Sequence, residues 1–142
     1  MILTKDLQKQ IENELLKELP IRVKDNCIEY NHFLIMQDKD GYWCLYNNIN
    51  GLDFLQRFFL RSCAIMAAKL YEKTKMQDFV TVKNLDSSYR NFANDIITFR
   101  HLIKKTNDDV KKDNYYFRLE ECILKSKEMK RQIENLYRVI FR

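Results

Sequence analysis

A seven-residue rhythm runs through residues 85 to 140 and limits the folds open to this chain. Leu85, Tyr89, Phe92, Ile96, Phe99 and Ile103 follow one another at steps of four and three. After a polar break the rhythm returns as Tyr115, Leu119, Cys122, Ser126, Met129, Ile133, Leu136 and Ile140. Such spacing lays an apolar strip along one side of an α-helix, and the strip needs an apolar partner. Two strips in succession predict an antiparallel helical hairpin. Thr106-Asn107-Asp108-Asp109 is its turn, and Asn107 or Asp108 caps the second helix. Asp86 or Ser87 is read as the cap of the first helix, which then ends near Lys105. The second helix, at roughly 30 residues and about 45 Å, is expected to be longer than its partner by about ten. Its end either projects past the hairpin or folds back on the rest of the chain.

The first half reads differently. Thr4 can cap a helix whose Leu3, Leu7, Ile11, Leu15 and Leu19 recur every four residues until Pro20 stops it. Short strand signals follow at Ile21 to Val23 and Cys27 to Tyr30. Phe33-Leu34-Ile35-Met36 and Tyr42-Trp43-Cys44-Leu45-Tyr46 are joined by the turn Asp38-Lys39-Asp40-Gly41. The expectation is an antiparallel meander of three main strands. Neither of the last two strands alternates apolar with polar, so both faces of this sheet are apolar. Either helices cover both faces, or one face meets another chain. Leu52 to Leu60 is ambiguous. Ser62 is read as the cap of a helix to about Lys75, and Phe79 to Leu85 as a linker or short strand. The fold class is therefore α+β. A helix, meander and helix occupy residues 1–78, and a helical hairpin occupies 79–142.

Composition limits the chemistry. With Gly 2 and Pro 1, there is no flexible linker and no Gly-rich phosphate loop. The four cysteines at 27, 44, 63 and 122 form no C-x-x-C pair. With His32 and His101 far apart, no zinc signature arises. No apolar run approaches the roughly 18 residues of a membrane span. Glu120 and Glu121 are adjacent, so they point about 100° apart on a helix. No nucleophile and base come together. The reading is a non-enzymatic protein with no catalytic residue, no cofactor, no metal and no small-molecule substrate.

The charge is uneven. Residues 1–50 hold 6 Lys+Arg against 8 Asp+Glu, and residues 51–142 hold 19 against 12. Lys125, Lys127, Lys130 and Arg131 form a local basic cluster, interrupted by Glu128. They are the candidate nucleic-acid contacts, and such binding by the basic C-terminal helices is the alternative function. The candidate protein contacts are aromatic or apolar: Trp43 and Tyr46 on the meander, and Leu136, Tyr137, Ile140 and Phe141 at the end of the last helix.

Two resemblances add to this reading. The helix, meander, helix order over residues 4–75, with Cys63-Ala64-Ile65-Met66-Ala67-Ala68-Lys69-Leu70 as an alanine-rich second helix, resembles a double-stranded-RNA-binding domain. That family opens its second helix with a lysine cluster that grips phosphates. Here only Arg57 and Arg61 lie nearby, and the family's Gly-Pro-x-His loop is missing. Separately, Phe59-Leu60-Arg61-Ser62-Cys63-Ala64 and Asn94-Asp95-Ile96-Ile97-Thr98-Phe99 are similar to stretches in small proteins of marine tailed bacteriophages, cyanophages especially. So is Arg118-Leu119-Glu120-Glu121. That resemblance spans roughly residues 20–135, carries no assigned activity and implies a phage setting. Abundant Lys (16), Ile (13) and Asn (12) point the same way, because their codons are AT-rich. The resulting expectation is a structural or adaptor protein of the virion, found there or in the host cytoplasm during assembly. Its partners are other proteins of a multi-copy viral assembly, and no membrane is involved.

Overall fold

The computed structural model describes residues 21–24 and 27–141, without the side chains of 21–24. The helix expected over Leu3 to Leu19 lies outside the described residues, as do Asp25 and Asn26. Five strands form one antiparallel sheet in sequential order: β1 (Ile21–Lys24), β2 (Cys27–Tyr30), β3 (Phe33–Gln37), β4 (Trp43–Asn47) and β5 (Asp53–Phe58). Three helices follow: α1 (Arg61–Glu72), α2 (Met76–Lys105) and α3 (Asp109–Ile140). The fold is α+β with a helical hairpin.

The turns explain the register. Asn31 sits at φ 51° between β2 and β3, and Gly41 at φ 89° between β3 and β4. Asn and Gly tolerate this left-handed region best. Asp38 tightens the second turn, its carboxylate accepting from the amides of Asp40 (2.9 Å) and Tyr42 (3.0 Å). Among the described residues the meander has five strands, not three main ones, because the short signal at Ile21 to Val23 is the strand β1 and Leu52 to Leu60 contains β5. A bulge hides it: Gln56 pairs with Leu45, but Tyr46 pairs with Phe54, leaving Leu55 as an extra residue. The extra residue breaks the two-residue period by which a strand is recognised.

One face of the sheet carries Ile28, Tyr30, Phe33, Ile35, Trp43, Leu45 and Phe58, all buried under α1. From Ser62 to Ala68 every residue of α1 is buried, along with Leu70. A helix apolar all round lies between two layers, here the sheet and the hairpin. Ala64, Ala67 and Ala68 let both layers approach. Ser62 is not the cap of α1. It lies inside at 1% exposure, and Leu60 occupies the cap position without a side-chain hydrogen bond.

The cap is supplied from elsewhere. Asp86 accepts from the Phe59 amide (2.8 Å) and the Leu60 amide (2.9 Å). Asp86 therefore does not start a helix. It lies in the third turn of α2, which begins ten residues earlier at Met76, and Phe79 to Leu85 is helical. Phe79, Val82, Asp86 and Tyr89 are all buried, so the rhythm extends back past the point where the β-branched run Val80-Thr81-Val82 suggests a strand.

This early start changes the hairpin. α2 has 30 residues and α3 has 32, so the ten-residue mismatch does not exist. The end of α3 does not project. Tyr137 is buried, and Leu136, Ile140 and Phe141 pack against the core. The Tyr137 and Phe141 rings lie 4.7 Å apart, and the Lys69 ammonium sits 5.0 Å from the centre of the Phe141 ring. Asp108 caps α3 as expected, accepting from the Val110 (3.0 Å) and Lys111 (3.3 Å) amides.

Candidate interaction surfaces

The main core includes residues of α2 only up to Tyr89, and of α3 only from Met129 onward. Among the described residues, the hairpin beyond those points is a two-helix arm held by its own seam. Ala93, Ile96 and Ile103 of α2 are buried there, and Ser126 of α3 is 2% exposed. Tyr115, Leu119 and Cys122 are half-buried, and the Phe99 and Tyr115 rings lie 6.3 Å apart. The Ser126 hydroxyl donates to the Ile123 carbonyl at 2.8 Å, so the polar break in the rhythm is satisfied within its own helix. From Asp109 to Met129 the arm runs about 30 Å at 1.5 Å per residue.

The arm's outer side is not uniformly polar. Val110, Phe117 and Leu124 are 79%, 68% and 68% exposed. They are seven residues apart, so successive members shift by only about 20° around the helix. Phe117 is nine residues from Ser126, about 180° around the same helix. α3 therefore carries two apolar strips, one inside the hairpin and one facing away. Sequence reasoning missed the second strip, although its spacing was readable, because the longer inner rhythm drew all the weight.

The second surface is the face of the sheet opposite the one that, among the described residues, packs against α1. Register places Cys27, Met36, Cys44 and Arg57 in one row, and Glu29, Leu34, Tyr46 and Phe54 in the next. Leu34, Met36 and Tyr46 are half-buried and Phe54 is 53% exposed. The Tyr46 and Phe54 rings are 5.7 Å apart. At one end, Arg57 stacks 3.8 Å from the Tyr42 ring centre and pairs with Asp38 (2.9 Å) and Asp40 (3.4 Å). Burial works against the Asp38 charge, but the Tyr42 and Asp40 amides and Arg57 outweigh it and hold the carboxyl below its usual range. Burial and the Asp38 charge push the Cys44 thiol up, so it stays protonated and donates to Asp38 at 3.8 Å.

Of the residues expected to contact proteins, only Tyr46 lies on this face. Trp43 points the other way, at 7% exposure, with the Arg61 guanidinium 5.1 Å from its ring centre. Leu136, Tyr137, Ile140 and Phe141 serve the chain's own core. The feature that singles these residues out in the sequence, an uncovered aromatic or a projecting end, is absent at all five.

The basic cluster on α3 is partly neutralised. Lys125 pairs with Glu121 at 2.8 Å and Arg131 with Glu128 at 2.7 Å. Lys127 is exposed and Lys130 half-buried. These intrahelical pairs lower the Glu121 and Glu128 carboxyls.

Among the described residues, the one strongly perturbed carboxyl lies inside. Burial pushes Asp86 up to about 6, against the pull of the Phe59 and Leu60 amides, the Cys63 thiol and Arg90. Burial, with Asp86 alongside, pushes the Cys63 thiol well above its ordinary value. A fully buried, protonated thiol is a poor nucleophile, and this arrangement joins β5, α1 and α2 structurally. Among the described residues no His, Cys, Asp and Glu cluster could hold a metal ion, and no helix is long and apolar enough to cross a membrane. No protein-family model, curated protein or solved structure matches this chain.

Proposed function

We propose that this chain is a non-enzymatic structural or adaptor protein that binds another protein through the outer side of its helical arm. The observation behind this is the strip Val110, Phe117 and Leu124, exposed on the side of α3 opposite the seam. Large apolar side chains at heptad spacing suit the groove of a partner helix, where they act as anchors. An arm lying beyond the main core offers such a surface without disturbing that core. The ion pairs at Lys125 and Arg131 favour this reading over nucleic-acid binding, since paired cations release fewer counterions.

The phage setting rests on the sequence resemblance and the AT-rich codon usage. In that setting the protein is a virion component, and its partners are other proteins of the particle. Mass spectrometry of purified particles tests this, and absence of the chain from intact particles removes the virion assignment. A gel shift at low and high salt tests the competing function. Salt-sensitive binding to DNA or RNA, lost on neutralising Lys127 and Lys130, would replace the protein-contact reading.

A further inference from the structure

We propose that the partner met by the outer side of α3 is a second copy of this chain, in a parallel, two-fold symmetric contact between the two α3 helices. This rests on the protein-contact reading above and names its partner. In such a contact each residue of the strip meets its own counterpart, so Val110, Phe117 and Leu124 each bury against the same residue of the other copy.

The charges beside the strip match this pairing. Arg118 and Lys125 each follow a strip residue by one position, about 100° around the helix. Asp113 and Glu120 follow Val110 and Phe117 by three positions, about 60° around in the opposite sense. The strip thus has a basic residue on one flank and an acidic one on the other at each step. All four are exposed, and among the described residues no ion pair holds Asp113, Arg118 or Glu120. When two parallel helices share such a seam, opposite flanks meet and their charges set partner and orientation. Asp113 then faces Arg118 of the other copy, Glu120 faces Lys125, and the two-fold axis repeats both pairs. Antiparallel helices bring like flanks together, which sets Asp113 against Glu120. Glu121 also borders the strip, and Lys125 of its own helix meets its charge at 2.8 Å.

The rest of α3 leaves room for two cores. Arg131, Gln132, Asn135 and Arg138 are exposed beyond the strip, while the core packs on the side of Ile133 and Tyr137. The two cores therefore stand on the outer sides of the helix pair. Arg131 is next at the seven-residue spacing and brings like charges together, so the contact ends at Leu124. It covers about 21 Å of helix and three apolar positions. That is below a standard interface, so the dimer is weak and dissociates on dilution.

Sedimentation equilibrium of the full chain from roughly 10 µM to 1 mM tests this. The mass is expected to rise from that of one chain towards that of two. Asp113→Lys with Glu120→Lys, and separately Arg118→Glu with Lys125→Glu, should each weaken association at least tenfold, and mixing the two variants should restore it. Trp43 emission confirms that both variants keep the core. A wild-type mass of one chain throughout overturns the proposal. So does self-association of either variant as strong as wild type, or a mixture that stays monomeric.

Leu124→Cys oxidised with copper phenanthroline checks the orientation. Peptide mapping is expected to find a disulfide between the two introduced thiols, and no such bond overturns the parallel contact. The proposal and the reading it rests on fail separately. A chain that stays monomeric while Phe117 contacts a different protein overturns the second copy as partner and leaves the protein-contact reading standing.

Discussion

Asp86→Ala removes the acceptor for the Phe59 and Leu60 amides, which bond its two oxygens at 2.8 and 2.9 Å. A buried amide left without an acceptor costs about 1–3 kcal/mol. Removing a carboxylate that is held against its preference offsets part of that cost. At pH 7 we expect a net loss of about 2 kcal/mol. The pH dependence is the sharper test. The folded-state pKa is raised to about 6 from 3.8, so the fold holds a proton that the unfolded chain releases. The carboxyl's stabilising contribution is full below about pH 4 and falls as pH rises through 6. A tenfold change in proton affinity corresponds to about 1.4 kcal/mol, so Asp86→Ala should cost about 2 kcal/mol more at pH 4.5 than at pH 7. Carboxylates with lowered pKa, such as Asp38, destabilise both proteins equally on acidification and cancel in the difference. Urea unfolding followed by Trp43 fluorescence at the two pH values measures this. A cost that shrinks at pH 4.5 would refute the reasoning, because it would mean that the amide bonds outweigh burial and Asp86 is held ionised.

Three further outcomes follow from particular contacts. Thr74 sits at φ 56° after α1, where Lys75 and Thr74 donate back to Leu70 and Tyr71 in a Schellman closure; Thr74→Gly should raise stability by about 0.5–1 kcal/mol in urea unfolding. Ile133 is 0% exposed where the hairpin meets the core, so Ile133→Ala should cost about 2–5 kcal/mol, and a cost under about 1 kcal/mol would mean that α3 is not seated there. Phe117→Glu with Leu124→Glu should leave the melting temperature within about 4 °C, because both residues are exposed and two surface changes of about 0.5 kcal/mol each sum to about 1 kcal/mol; a larger drop would place the strip inside the fold.

Much of the fold is legible where one chemical signal dominates. The turns at Asn31-His32 and Asp38 to Gly41 are readable, because Asn, Asp and Gly favour the required backbone. The seam is readable from its rhythm, and Asp108 from its place before α3. Sequence reasoning fails where a residue has two plausible uses. Asp86 looks like a cap, and it does act near a helix start, but at that of α1, which lies remote in sequence. Trp43 sits in a strand apolar on both faces, so alternation does not say which way it points. Leu136 to Phe141 looks unmatched only when α2 is begun at Asp86, ten residues late. The outer strip is present in the spacing of Val110, Phe117 and Leu124, but no rule tells an exposed apolar heptad from a second buried one without the neighbouring helix.

Site-specific photo-crosslinking tests the central claim most directly. A photoreactive residue replaces Phe117 in the full chain, expressed in the cells that produce it, with the same residue at exposed Lys127 as control. We expect a protein adduct from position 117 that is weak or missing from position 127. Crosslinks to nucleic acid, or no adduct from position 117 in any assembled material, would contradict the account.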